Sequence, residues 1–365
     1  MMSDYAVAFD IGTTTIHAEF FSIERNESLE IFTAFNEQRI FGVDVISRIG
    51  AVQNGKLHEL FSVINNQVEG ILRHFISKHK IDKITKCAVS GNTTMLHIFC
   101  GEDPSRLGRA PYTPLFLNEK QFKGSELSLS AECITLLPGV SAFIGADIVS
   151  GLAYVDIMGN NENNALFIDI GTNGEIALYK KNEKKIYCCS TAAGPCFEEI
   201  SCGLSASEFI DTIAEMRRGG IIDETGALHN VLADEYKNAC QKDVRQSDVR
   251  QFQLAKSAIF SGIKLICKHA HVKLGDLGTV YIAGGLGEHL NLQNAAYVGL
   301  LPREFADMQA ANVHICGNTS LKGTGKYLTD LTFSPRLCDI IACAQTVDLA
   351  GDKFFAAAFE HNMWF

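Results

Sequence analysis

Two carboxylates stand in the same four-residue setting. Asp10-Ile11-Gly12-Thr13 follows the apolar run Val7-Ala8-Phe9, and Asp169-Ile170-Gly171-Thr172 follows Leu166-Phe167-Ile168. A second alternating run comes after each: Ile16-His17-Ala18-Glu19-Phe20 and Glu175-Ile176-Ala177-Leu178-Tyr179. The pattern predicts strand, tight turn, strand, twice over. Gly12 and Gly171 let the backbone pass close to a bound group. Backbone N–H groups and threonine hydroxyls in such a turn converge on one spot, which suits an anion. An Asp at the strand end suits a hydrated Mg²⁺, which takes only one or two carboxylates. The expected grip comprises Asp10, Gly12, Thr13 and Thr14 in one copy, and Asp169, Gly171, Thr172 and Asn173 in the other. One copy alone would pass for an ordinary hairpin. Recurrence at an offset of 159 residues (169 − 10) argues for function.

Three further stretches bear on the same chemistry. Val280-Tyr281-Ile282-Ala283-Gly284-Gly285-Leu286-Gly287-Glu288 is a strand running into glycines, where a flat ring can approach the backbone. Its spacing is not that of a dinucleotide fingerprint. Asp147, in Gly145-Ala146-Asp147, opens a helix and is either a cap or a carboxylate that orients an attacking water. Gly323-Thr324-Gly325-Lys326-Tyr327 lacks the Ser or Thr that a phosphate-binding P-loop places after its lysine.

The elements that must carry these residues alternate. Helices are predicted near 57–79, 145–156, 206–217, 248–270 and 350–361, with Ser247 capping the fourth. Strands are predicted near 84–90, 133–137, 184–189 and 279–283. Such alternation predicts an α/β protein. The expected division is a first lobe over 1–160, a second over 161–345, and a terminal helical segment, 346–365, packing on the first lobe. The polar stretch Gly159–Asn164 is the expected linker.

Strand–turn–strand twice, a carboxylate helix between, and a late Gly-Gly strand end together resemble the actin, sugar-kinase and Hsp70 superfamily of ATPases. The resemblance implies a two-lobe fold of duplicated ribonuclease H-like lobes with a nucleotide cleft. It makes the two turns phosphate loops, Gly284 and Gly285 the adenosine motif, and puts Asp147 where the superfamily has a catalytic acidic or amide residue. A closer resemblance lies in Phe41-Gly42-Val43-Asp44-Val45-Ile46-Ser47-Arg48-Ile49, Ser90-Gly91-Asn92-Thr93-Thr94-Met95-Leu96-His97, Ile168 through Glu175, Cys189-Ser190-Thr191-Ala192-Ala193-Gly194-Pro195 and Gln253-Leu254-Ala255-Lys256. These resemble the reductive activators of corrinoid proteins, ATPases that drive reduction of Co(II) corrinoid to Co(I).

That family implies ATP or ADP with Mg²⁺, a corrinoid protein of a methyltransferase system as partner, and a homodimer. It also puts Lys256 within reach of the nucleotide. The sequence departs from the family in two respects. The first strand starts near residue 5, so neither a ferredoxin domain nor an iron–sulfur cluster is expected here, and electrons are expected from a separate ferredoxin-like donor. After Phe197 the family usually has Glu-Gly-Ala before an Ile-Ser-Cys-Gly stretch; here Glu198-Glu199 runs straight into Ile200-Ser201-Cys202-Gly203, so the loop is shorter and loses that first glycine. The competing readings are a small-molecule kinase with Asp147 as base and a non-catalytic nucleotide-dependent scaffold.

Composition narrows the rest. Of 365 residues, 32 are Lys or Arg and 42 Asp or Glu, so the net charge of -10 disfavours nucleic acid and anionic membranes. No apolar run reaches membrane-spanning length, and residues 1–5 lack a signal pattern, so a cytoplasmic location is expected. The twelve cysteines form no metal-binding spacing, and Cys188 and Cys189 read as core. His97 reads as a satisfied core histidine. His269 and His271 make an incomplete metal site, and Lys180–Lys185 reads as a solvated hairpin turn.

Overall fold

The computed structural model describes residues 4–159, 163–197, 203–240, 242–285, 290–306 and 312–365. Expectations for 160–162, 198–202 and 286–288 lie outside the described residues. The chain divides into two compact units, residues 1–156 with 319–344 and residues 157–318 with 345–365. Residues 319–344, expected in the second lobe, therefore belong to the first.

The first unit begins with β1 (Tyr5–Ile11), β2 (Thr15–Ser22) and β3 (Glu27–Phe35), an antiparallel meander. Then come α1 (Val45–Ala51), α2 (Leu57–His79), β4 (Ile84–Gly91), α3 (Thr93–Phe99), β5 (Lys120–Lys123), β6 (Ala131–Leu136) and α4 (Ala146–Tyr154). The sheet order is β3-β2-β1-β4-β6-β5, with β4 parallel to β1 and β6 parallel to β4. In α2, Leu60, Ile64, Val68, Ile71, Leu72 and Phe75 recur at helical spacing and are buried. Its last turn fastens the edge strand: Glu30 of β3 accepts from Lys78 at 2.8 Å and pairs with His74 at 3.0 Å and His79 at 2.7 Å. A charged cluster on an edge strand also discourages pairing with another chain.

The second unit repeats the plan. It contains β7 (Asn164–Ile170), β8 (Gly174–Lys180), β9 (Lys185–Thr191), α5 (Ala206–Arg218), α6 (Asn230–Cys240), α7 (Gln246–His269), β10 (Leu277–Gly284), α8 (Leu292–Tyr297) and β11 (Asn312–Gly317). Strands β7, β8 and β9 form the antiparallel meander, β10 runs parallel to β7, and β11 runs parallel to β10. The predicted hairpin turn is present, with Lys180 opposite Lys185. The cap of α7 is Arg245 rather than Ser247.

The chain then returns to the first unit as α9 (Thr319–Thr329) and α10 (Phe333–Cys343). Gly323-Thr324-Gly325-Lys326 lies inside α9, so its glycines serve packing. A Cβ at Gly323 would stand 2.3 Å from the Ser150 carbonyl oxygen of α4, and one at Gly325 would stand 2.6 Å from the Phe21 ring. Finally, β12 (Ala344–Thr346) joins the second sheet beside β9, and α11 (Lys353–Asn362) closes the described chain.

The terminal helix was expected on the first lobe. It packs instead on α7 of the second unit, because α7 presents polar groups that fit its C-terminal end. Lys256 donates to the carbonyls of Asn362 at 2.7 Å and Trp364 at 2.5 Å, and Gln253 to that of Met363 at 2.7 Å. Phe365 stacks on Phe252 at 6.0 Å. No helix among the described residues is long and apolar enough to cross a membrane.

Candidate functional site

In the first unit the turn between β1 and β2 is closed by Gly12 N–H donating to the Thr15 carbonyl at 2.9 Å. A Cβ on Gly12 would lie 2.8 Å from that oxygen. Thr13 and Thr14 follow, both 5% exposed. The outer face of the turn is held by neutral donors. Asn36 Nδ2 reaches the Gly12 carbonyl at 2.8 Å, Asn36 N–H the Thr14 carbonyl at 2.7 Å, and Asn92 Nδ2 the Thr13 hydroxyl at 3.1 Å. Arg48 Nη2 donates to the Thr13 carbonyl at 2.5 Å. Fixing the carbonyls from behind leaves the opposite side of each peptide to present its N–H groups.

Asp10 ends β1. Ser320, in the first turn of α9, donates to its Oδ1 at 2.8 Å, and Ser90 Oγ lies 2.8 Å from Ser320 Oγ. Asp147, in the first turn of α4, is not the helix cap. The cap is Gly145, and Asp147 Oδ1 instead accepts from its neighbour Ile148 N–H at 2.9 Å. Burial, and secondly the charge of Asp10, push the Asp147 carboxyl up to about 7. A buried carboxylate with a second carboxylate charge nearby is an environment whose ionised form a hard divalent cation favours. The residues present thus fit Mg²⁺.

The second unit repeats the turn. Gly171 N–H donates to the Asn173 carbonyl at 3.0 Å. Asp169 lies opposite Glu175 of β8 on one side and Ala283 of β10 on the other. Gly284 follows, with φ +98, and a Cβ there would stand 2.4 Å from the Ile170 carbonyl oxygen and 2.6 Å from Asp169 Oδ1. The structure therefore sets the glycine strand end directly against the second turn. Gly285 N–H donates to the Ile170 carbonyl at 3.1 Å.

The first unit has a counterpart that sequence reading did not single out. Gly91, at the end of β4, pairs with Ile11; its φ is +155, and a Cβ would lie 2.6 Å from the Ile11 carbonyl oxygen. The duplication thus extends to the strand end beside each turn. Asn36, Arg48, Asn92 and Ser320 were also missed as site residues. Arg48 and Asn92 carried a signal only through the corrinoid-activator segments.

Other expectations resolve plainly. Lys256, expected near a nucleotide, has its ammonium committed to the C-terminal carbonyls, and burial with Arg217 nearby lowers its pKa to about 8. His97 is a satisfied core side chain: Nδ1 meets the Thr93 carbonyl at 2.7 Å, Nε2 accepts from Leu115 N–H at 3.0 Å, and the ring stacks on Phe116. Burial pushes the Cys188 thiol up to about 12, and Cys189 is raised further. His269 packs edge-on against Tyr187.

Residues 5–160 match the RACo middle region, and residues 163–210 and 201–365 match the C-terminal domain of RACo, the ASKHA domain. The corrinoid activation enzyme RamQ of Eubacterium limosum is 29% identical over 426 residues, covering 99% of this chain and 70% of that protein. The Co(II) methylated amine-specific corrinoid protein reductase of Methanosarcina barkeri is 22% identical, covering 94% of this chain and 73% of that protein. A solved reductive activator for corrinoid, iron-sulfur protein superposes over 100% of this chain with a TM-score of 0.91 at 27% identity; the chain spans 66% of its length. Duplicated meander, paired glycine turns and matched segments lead to one assignment: the chain belongs to the RACo family, carrying its middle region and its C-terminal ASKHA domain.

Proposed function

We propose that this chain binds and hydrolyses Mg-ATP to support reduction of a corrinoid protein from Co(II) to Co(I). The observation that carries the reading is the carboxylate pair Asp10 and Asp147, beside a glycine turn whose carbonyls are all held from behind. Kinship with RamQ and the solved activator supports the choice of a corrinoid protein as partner. One electron enters the cobalt, and ATP with water becomes ADP and phosphate; the electron comes from a separate low-potential, ferredoxin-like donor. A homodimer in the cytoplasm is part of the same proposal.

The roles divide by residue. Thr13, Thr14 and the Gly12 peptide receive phosphate oxygens at one turn, and Gly171, Thr172 and Asn173 do so at the other. Asp10 and Asp169 are assigned to Mg²⁺, which when bound offsets negative charge on the phosphates. Asp147 orients the attacking water and takes its proton, a task suited to a carboxyl poised near neutral pH. Gly284 and Gly285 leave room for the adenosine ring system. Different affinities of ATP and ADP for two conformations of the chain would couple turnover to the partner.

Calorimetry with Mg-ATP tests the first half, with Asp10→Ala and Asp169→Ala alongside. Clear wild-type binding that both substitutions abolish is expected. The second half is tested by mixing chain, reduced donor and Co(II) corrinoid protein and following the Co(I) absorbance. Cobalt reduction that proceeds equally without ATP would overturn the reading.

A further inference from the structure

The largest fully buried side chain among the described residues is a cation. Arg48, in α1, is 0% exposed. Its hydrogen bonds all end on neutral atoms. Nη2 donates to the Thr13 carbonyl, Nη1 to Gln38 Oε1 at 3.2 Å and to Met95 Sδ at 3.0 Å, and Nε to the Gly42 carbonyl at 3.1 Å. Burial depresses its pKa to about 10, opposed by Asp44, a surface residue that caps the same helix. A core guanidinium without a bonded carboxylate is costly, and packing alone does not account for it, since an apolar side chain of the same volume often serves as well. The surroundings are built for it nonetheless. Gln38 and Asn36, both 0% exposed, complete the polar layer: Gln38 accepts from Arg48 and donates its N–H to Asn36, and Asn36 donates to the turn.

We infer that Arg48 is a charge-bearing positioning residue for the first phosphate turn. It holds the Thr13 carbonyl from behind and supplies the positive potential that makes the turn favour the more highly charged nucleotide. The inference rests on the nucleotide reading above and deepens it. The positive charge lies one peptide behind the turn, in a dry layer where screening is weak. Its attraction for a ligand grows with the ligand's negative charge. ATP gains more than ADP, and adenosine gains nothing. A purely structural role predicts a different pattern, in which all three ligands weaken together.

The test is calorimetry on the full chain with Mg-ATP, Mg-ADP and adenosine, using wild type, Arg48→Met and Arg48→Lys. Arg48→Met keeps the volume and removes the charge. It is expected to weaken Mg-ATP on the order of tenfold and Mg-ADP by roughly threefold, with adenosine unchanged. Arg48→Lys keeps the charge and is expected to restore most of the preference for ATP over ADP. A folded Arg48→Met with the wild-type ratio overturns the inference, as does an Arg48→Lys that loses the ratio. Should Arg48→Met fail to melt cooperatively, Arg48→Lys alone decides. A wild type that binds no Mg-ATP overturns the nucleotide reading itself, and this inference with it. Wild-type binding with an unchanged ratio removes only the inference.

Discussion

Ser320 donates its hydroxyl to Asp10 Oδ1 at 2.8 Å, although 310 positions of chain separate them. The bond ties α9 to β1 and fixes the orientation of the Asp10 carboxylate. Ser320→Ala should therefore leave the fold intact, costing about 1 kcal/mol for the lost bond. The Mg²⁺ concentration for half-maximal ATP binding should rise severalfold. A magnesium titration with ATP held constant checks this, and an unchanged midpoint would show that Ser320 does not orient Asp10.

Asp147→Asn should separate stability from activity. The folded-state pKa near 7 lies above the usual carboxylate value, so ionised Asp147 burdens the native state. That burden is absent below about pH 4, grows between about pH 4 and 7, and is complete above 7. Removing the charge should stabilise the metal-free protein at pH 8 by on the order of 2 kcal/mol, and by almost nothing near pH 4. ATP turnover should fall at least about a hundredfold. Melting curves at both pH values and an ADP-release assay measure the two halves.

At Gly284 the backbone and its neighbours both reject a side chain. With φ +98 and a Cβ only 2.4 Å from the Ile170 carbonyl oxygen, Gly284→Ala must move β10 away from β7. A loss of about 2 kcal/mol or more is expected. Nucleotide affinity should drop further than for an alanine at Gly285, where a Cβ meets nothing within 4 Å. Equal affinities for the two variants would detach this strand end from the nucleotide.

Lys256→Ala should release the end of the chain. It removes the donor shared by the Asn362 and Trp364 carbonyls. Amide exchange in residues 353–365 should accelerate strongly while that in β7 and β10 stays slow. About 1–3 kcal/mol of stability should go with it. Exchange unchanged at the C-terminal helix would mean that Phe365 and Gln253 hold it unaided.

The duplication was legible in the sequence because an apolar strand, an Asp and a Gly recur in fixed order. Long amphipathic helices such as α2 were legible for the same reason, through a buried stripe at helical spacing. What escaped were contacts made by residues far apart in sequence. Nothing local marks Ser320 as the partner of Asp10, and Arg48 looks like an ordinary helix charge until its burial is known. The partners of Lys256 escaped for a related reason: a helix lysine carries no sign of which carbonyls it will meet. The glycines of α9 imitated a phosphate loop because close helix packing and phosphate binding ask for the same small residue.

Neither unit is a continuous stretch of chain, for residues 319–344 complete the first and 345–365 complete the second. On the ribosome the first sheet is finished long before α9, whose Ser320 secures Asp10, has been made. At 5–20 residues per second that interval is roughly 10–40 s. During it the first phosphate turn exists without the group that orients its carboxylate. On the proposed reading a half-made chain would turn over ATP poorly, with maturation of the site timed by translation.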